Sequence, residues 1–392
     1  MSLPPPPGSF GQQPPMGGGG QPGGGAPQPW QQPGGQAGPP PGGPPPWGPQ
    51  QQWAGGPPPP PNGGRKTKWI LGGLALVLAI ALAVVITVLV VKPDSGGNGP
   101  SNAGPEGSKS VFASADDTGP AGIITDDPTC DAWNSIANEY ASAAKSVNWD
   151  DRDFNIPASS WTSEQRGMYE SVGKAMTEAG DQTANLVKKT PHRVMRALYG
   201  QFIAYTRAFV ERIQSYTADD DNLVAASNGA GSGLVNICAA IRYRSAQAVA
   251  PLVEAVPGPT KVAAPQEASA PARFLAESNP TCSDWDALVS KFDDDTKSWR
   301  SIDKNIPAKE WSPEQKSVND AVAPIMTASA DEIERLGRQS GNPELEDIAI
   351  LAAQYRRAFV IALPGYTAAD AYLELTATNL VRLVNWACKS PS

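Results

Sequence analysis

The hexapeptide PTCDAW at Pro128–Trp133 returns as PTCSDW at Pro280–Trp285, an offset of 152 residues. From Trp149 onward the offset becomes 150 and holds at anchors far apart: WDDRDFNIPASSW against WRSIDKNIPAKEW, Met176 against Met326, YTRAFV against YRRAFV, and Tyr216 against Tyr366. A two-residue indel accounts for the change. A chain that matches itself over such a length folds as two similar units, each the size of a small domain. Copy one runs from about 128 to 244 and copy two from about 280 to 390.

The four cysteines fall at matching places, one near the start and one near the end of each copy. Four cysteines allow three connectivities, and only Cys130 with Cys238 and Cys282 with Cys388 makes each copy self-contained. That pairing requires an oxidising compartment. No CxxC pair occurs and His192 is the sole histidine, so no metal site and no cofactor is expected.

Apolar spacing in both copies is helical. Trp133, Ile136, Tyr140, Ala144 and Val147 form one stripe in copy one; Met168, Val172, Met176, Ala179 and Leu186 a second; Leu198, Phe202, Tyr205, Phe209 and Ile213 a third. In copy two the fourth stripe is the cleanest, through Leu373, Thr376, Leu380, Leu383 and Ala387. Thr162-Ser-Glu-Gln165 and Ser312-Pro-Glu-Gln315 read as capping boxes at the second helix, and Thr190-Pro191 and Asn342-Pro343 as starts of the third. The predicted fold is all-α: two tandem four-helix-bundle-like modules, each stapled by a disulfide where the first and fourth helices meet. Pro324 is expected to kink a helix, and Gly229, Gly231 and Gly233 to loosen another. Segments 93–127 and 245–279, rich in Pro, Gly, Ala and Ser, read as linkers.

The rest of the chain is of another kind. Residues 1–64 hold 22 of the 41 prolines and 19 of the 39 glycines with no charged side chain, so they cannot bury enough apolar surface to offset their ordering entropy. A disordered tail is expected there, with Trp30, Trp47 and Trp53 as docking points if its polyproline stretches engage a partner. Trp69–Val91 is 23 residues without an ionisable group, a helix of about 35 Å and long enough to span a bilayer. Arg65, Lys66 and Lys68 precede it, which puts the tail in the cytoplasm and both modules outside. Only three of the 31 basic residues precede the span and all 39 acidic ones follow it, so the outer part is net −11. No nucleic-acid partner is expected for it.

Catalytic chemistry finds little support. No P-loop, GxSxG or dinucleotide fingerprint occurs, and GAGSG at Gly229–Gly233 lacks the strand and spacing such a fingerprint needs. The aspartate clusters at 150–153 and 293–295 share only one acidic position between copies, Asp153 with Asp303. Arg207 and Arg357 are shared as well. A structural bridge from the arginine to the aspartate or to a helix start is the expectation, a ligand pocket around Arg207 and Arg357 its alternative.

A Pro/Gly/Gln-rich tail, a short basic collar, one span and an Ala-rich outer part with one disulfide per module together resemble the proline-rich single-pass membrane proteins of mycobacteria and related actinobacteria. The resemblance implies a place in the cell envelope and brings no catalytic motif. The expected function is non-enzymatic: the outer modules bind a protein or wall partner while the tail engages a cytoplasmic one, with oligomeric state left open. The alternatives are an extracytoplasmic sensor with a small ligand inside the bundle and, third, an envelope hydrolase.

Overall fold

The computed structural model describes residues 111–391. The expected tail with Trp30, Trp47 and Trp53, the basic collar and the Trp69–Val91 span lie outside these residues. All described regular structure is helical. The first module comprises α1 (Cys130–Ser146), α2 (Ser163–Lys189), α3 (Arg193–Arg212) and α4 (Asp221–Arg242); a short α5 (Ser245–Val249) follows; the second module comprises α6 (Cys282–Asp295), α7 (Pro313–Gln339), α8 (Pro343–Ala362) and α9 (Ala371–Lys389). Disulfides join Cys130 to Cys238 and Cys282 to Cys388, tying the first helix of each module to its fourth.

Local chemistry sets the boundaries. Thr162 and Ser312 accept from the amides of Gln165 and Gln315, whose side chains reach back to the caps, so both capping boxes form. The third helix of the first module begins later than Thr190-Pro191 would place it: α2 runs to Lys189, and His192 is the N-cap of α3. The Thr190 hydroxyl donates to Asp127 Oδ2 at 2.5 Å and accepts from the His192 amide at 3.2 Å, so it closes the turn ahead of α3. In the second module Asn342 caps α8 through the amides of Glu344 and Leu345. α7 runs through Pro324 as one helix.

The crossing segment after α1 and α6 is pinned in the same way in both modules. Trp161 Nε1 donates to Ile156 O at 2.8 Å and Trp311 Nε1 to Ile306 O at 2.9 Å. Tyr216 and Tyr366 hydroxyls hold the carbonyls of Phe154 and Lys304. Buried aromatic rings carry this arrangement because each covers a large apolar area and still presents one polar tip to the backbone. Tyr205, from the third stripe, works elsewhere.

Residues 111–127 and 245–279 are not linkers between independent beads. They are packed, and reciprocally so. Tyr205 of the first module donates to Leu275 O, in the segment leading into the second, at 3.4 Å; Tyr355 of the second donates to Ile124 O, in the segment leading into the first, at 3.5 Å. Ala121, Ile124, Ala268, Phe274 and Leu275 are buried. Asp127 and Asn279 then fasten each segment to its own module, Asp127 accepting from Thr129 and Thr190 and Asn279 accepting from Thr281 while donating to Ser340 O. Few large apolar residues are needed for this, because polar side chains satisfy the backbone of the extended chain, and a composition scan reads such a stretch as a linker.

Both modules therefore fall in one compact unit. Its seam is the α4–α9 pair, antiparallel and reciprocal. Gly229 faces Leu383, the residue 150 after Gly233, while Gly233 faces Leu380, the residue 150 after Ala230. At the ends Asn222 donates to Lys389 O, and Tyr243 stacks on Tyr372, the residue 150 after Asn222. Contacts that return on themselves in this way are those of a two-fold interface, built here within a single chain. The glycines do not loosen α4. A Cβ on Gly229 would lie 2.8 Å from Leu383 Cα and 2.9 Å from its amide nitrogen, so only glycine lets the two backbones approach. Gly229→Ala is expected to cost about 1–3 kcal/mol by overpacking, against no more than about 1 kcal/mol of gain from helix propensity. Chemical denaturation of the full chain in detergent measures the balance.

Among the described residues one helix, Ala218–Arg242, is long and apolar enough to cross a membrane by length and composition. It contains α4, and 61 % of its most apolar window is buried inside the body. Its apolar surface is thus spent on the seam and on the disulfide-linked core.

Candidate functional site

The polar chemistry of the body concentrates where the modules meet. Arg193, at the first turn of α3, donates from Nε to Asp347 Oδ2 at 2.7 Å and from Nη2 to Asp347 Oδ1 at 2.8 Å across the seam. Arginine and aspartate side chains are 2 % and 1 % exposed. The same guanidinium donates to the carbonyls of Asp117 and Gly119, while its backbone amide donates to Asp117 Oδ2. One side chain therefore locks three pieces together: α3, α8 and the lead-in segment. The hydrogen bonds to Asp347 raise the Arg193 guanidinium above its ordinary value against the opposing effect of burial.

Beside this lock runs a small cleft lined by Arg193, Arg196, Gln201, Gln266, Glu344 and Asp347. Arg196 donates to Ser114 Oγ at 2.8 Å; burial, with Arg193 nearby, lowers its guanidinium. Glu344 accepts from Gln201 and Gln266, and burial pushes its carboxyl up despite those bonds. Within the cleft Gln201 and Gln266 are paired with Glu344, and Arg193 with Asp347.

The residues singled out from sequence are placed differently. Arg207 pairs with Asp181 at 2.9 Å, not with Asp153, and Asp153 accepts from Asn155 within its own turn. Arg357 pairs with Asp331 at 2.8 Å and Glu334 at 2.7 Å, while Asp303 accepts from Asn305. The expected arginine-to-Asp153 bridge is absent because the aspartate is already committed to closing the turn before the pinned proline. Burial alone would raise the Glu334 carboxyl, but Arg357 and Arg338 outweigh it and hold it below the usual range. Asp181 and Asp331 stand 150 apart, so the sequence did carry the true pairing.

Because Arg207 and Asp181 are 35 % and 62 % exposed, charge reversal at Arg207 is expected to cost no more than about 1 kcal/mol. A double-mutant cycle by thermal unfolding should show recovery with Asp181→Arg and none with Asp153→Arg. His192 meets Asp126 O through Nε2 at 2.7 Å, a tie for the lead-in segment. Among the described residues no three or more His, Cys, Asp or Glu side chains are grouped to hold a metal ion.

With this geometry in place, the comparison with known proteins is informative about extent. A family model described as mycobacterial ESX-1 associated protein matches residues 112–392. The chain belongs to that family. The match opens at Phe112, so the family unit includes the lead-in segment held by Arg193 as well as both modules. An uncharacterised protein of Mycolicibacterium smegmatis (strain MKD8) is 45 % identical over 325 residues, covering 82 % of this chain and 86 % of the relative. No solved structure matches.

Sequence reasoning missed Arg193, Asp347 and Asp117, and it missed Arg356. That last side chain, adjacent to the shared Arg357, is wholly inside the second module, where burial presses its guanidinium down to about 10 against the partial support of Glu374 and Asp293.

Proposed function

We propose that this family member is a non-enzymatic, single-span protein of the plasma membrane whose helical body lies outside the cell and serves as a rigid docking platform, with the Pro-rich tail engaging a cytoplasmic partner. The reading of the span rests on Trp69–Val91, and that of its direction on Arg65, Lys66 and Lys68 before it. Two disulfides in the body favour the oxidising side. The family's description, association with ESX-1, supports a partner within that assembly.

The observation that carries the proposal is the seam. Reciprocal lead-in segments, the α4–α9 crossing and the Arg193–Asp347 lock spend the modules' inward faces on each other. What remains outward is largely polar and charged, as on α7, where Glu332, Glu334, Arg335 and Arg338 form a ladder of ion pairs. A body so built recognises a partner by shape and charge on its surface.

Proximity crosslinking of the full-length protein in its own membrane, read by mass spectrometry, tests this. ESX-1 proteins captured by the whole chain and lost when residues 111–391 are removed are the expected result, with a separate set lost on deleting residues 1–64. Capture that is indifferent to removal of the body would sink the platform reading.

A further inference from the structure

Arg356 sits in the core of the second module in an arrangement that the fold does not require. Its side chain is 1 % exposed. Nη1 donates to Ser329 Oγ at 2.7 Å and Nη2 to Thr378 Oγ1 at 3.2 Å, while Nε has no hydrogen-bond partner among the described residues. The nearest carboxylate, Glu374, stands 4.0 Å away and is itself bonded by the Thr378 hydroxyl. A buried cation with a donor left open is strongly unfavourable. In the first module the position 150 residues earlier is Thr206, whose hydroxyl forms a neutral 2.7 Å bond with Ser227. The same helical frame therefore closes without a charge there.

The cover over this arginine is the weakest-seated helix of the body. The ring of Phe292 lies on the guanidinium at 3.9 Å and is itself only half-buried. Trp285 is the one fully buried residue of α6, whereas α1 buries Cys130, Trp133, Ile136, Tyr140 and Ala144. The disulfide holds α6 at its first residue, Cys282; its C-terminal turns are held by the half-buried Leu288, Val289 and Phe292 and by the buried C-cap Thr296. At the rim Asp293 is held by Arg300 at 2.6 Å and by Arg382 at 3.6 Å.

We propose that Arg356 is the centre of a binding site for a small monocarboxylate anion, closed in this structure by the C-terminal half of α6, with the open Nε and the hydroxyl of Ser329 as its donors. A guanidinium offers the planar fork that a carboxylate fits. Glu374 beside it disfavours a dianion, which selects a singly charged group, and the Phe292 ring supplies an apolar wall for a short carbon chain. This site is independent of the docking reading, which concerns the outer surface.

The test uses the full-length chain in detergent micelles, with acetate or propionate exchanged for chloride at constant ionic strength and inorganic phosphate as a second arm. Thermal unfolding and hydrogen exchange of residues 286–296 are read together. Acetate and propionate should raise the Tm saturably and slow exchange in that segment at least severalfold, with phosphate doing neither. Both responses should vanish in Arg356→Thr, the side chain the first module carries, and saturate at severalfold lower acetate in Glu374→Gln, which also serves if the threonine variant does not fold. A response that survives Arg356→Thr, no saturable response in the parent chain, no tightening in Glu374→Gln, or a response to phosphate alone would each overturn the assignment.

Discussion

Asp347→Ala is expected to destabilise the body by about 3–5 kcal/mol, because it leaves the Arg193 guanidinium buried without its bidentate partner. The magnitude follows from asymmetry: forming a buried pair gains little over an apolar pair, whereas removing one partner exposes the full desolvation cost of the other. Arg193→Ala should cost a similar amount but with a different signature, since it also releases the carbonyls of Asp117 and Gly119. Chemical denaturation of the full chain gives the free energies, and limited proteolysis between residues 111 and 127 separates the two variants. Faster cleavage there in Arg193→Ala than in Asp347→Ala is the expected order. A double variant, Arg193→Met with Asp347→Leu, should recover most of the loss; if it does not, the charges do more than hold the seam.

The lock also explains why part of this structure was legible in the sequence and part was not. Comparing the two copies selects residues that each module needs for itself, and those were found: the cysteine pairing, the capping boxes at Thr162 and Ser312, the helical stripes. Seam residues are of the opposite kind. Arg193 aligns with Pro343 and Asp347 with Ala197, so the bridge is made on one side of the two-fold and its mirror pair is absent. A filter for shared residues discards such positions by construction. Arg356 against Thr206 was lost to the same filter, while its neighbour Arg357, shared and half-buried, drew the attention.

The glycines of α4 failed for a different reason. Helix propensity counts the entropy a glycine costs, and Gly229, Gly231 and Gly233 score as a weakened helix on that scale. What the scale omits is the space an absent Cβ gives to a neighbouring backbone, which at Gly229 is what admits Leu383. Local propensity and tertiary approach pull in opposite directions here, and the approach wins because it brings an entire helix into contact. The arginine partners were a simpler oversight, since Asp181 and Asp331 keep the 150-residue offset and lie on the helix that faces Arg207 and Arg357.

Removing either disulfide is expected to lower global stability by about 4–5 kcal/mol on the loop-entropy argument, for which the enclosed spans of 108 and 106 residues are equivalent. Locally the two losses should differ. Without Cys130–Cys238, α1 is still held by Trp133, Ile136, Tyr140 and Ala144, all buried in the first module. Without Cys282–Cys388, α6 retains Trp285, whose Nε1 donates to Val381 O, and little else that is fully buried. Serine replacement of Cys282 and Cys388 should therefore free α6 well below the global transition, so that amide exchange in residues 282–296 speeds up by orders of magnitude while α1 in the matching variant, Cys130→Ser with Cys238→Ser, stays protected. Denaturation midpoints would barely distinguish the two variants, and hydrogen exchange resolved to each helix would. Equal protection of α1 and α6 after loss of their bridges would mean that the half-buried contacts of Leu288, Val289 and Phe292 hold α6 as firmly as a buried stripe holds α1. A lid that depends on a bridge at its hinge, with a buried cation beneath its far end, would then lose its physical basis.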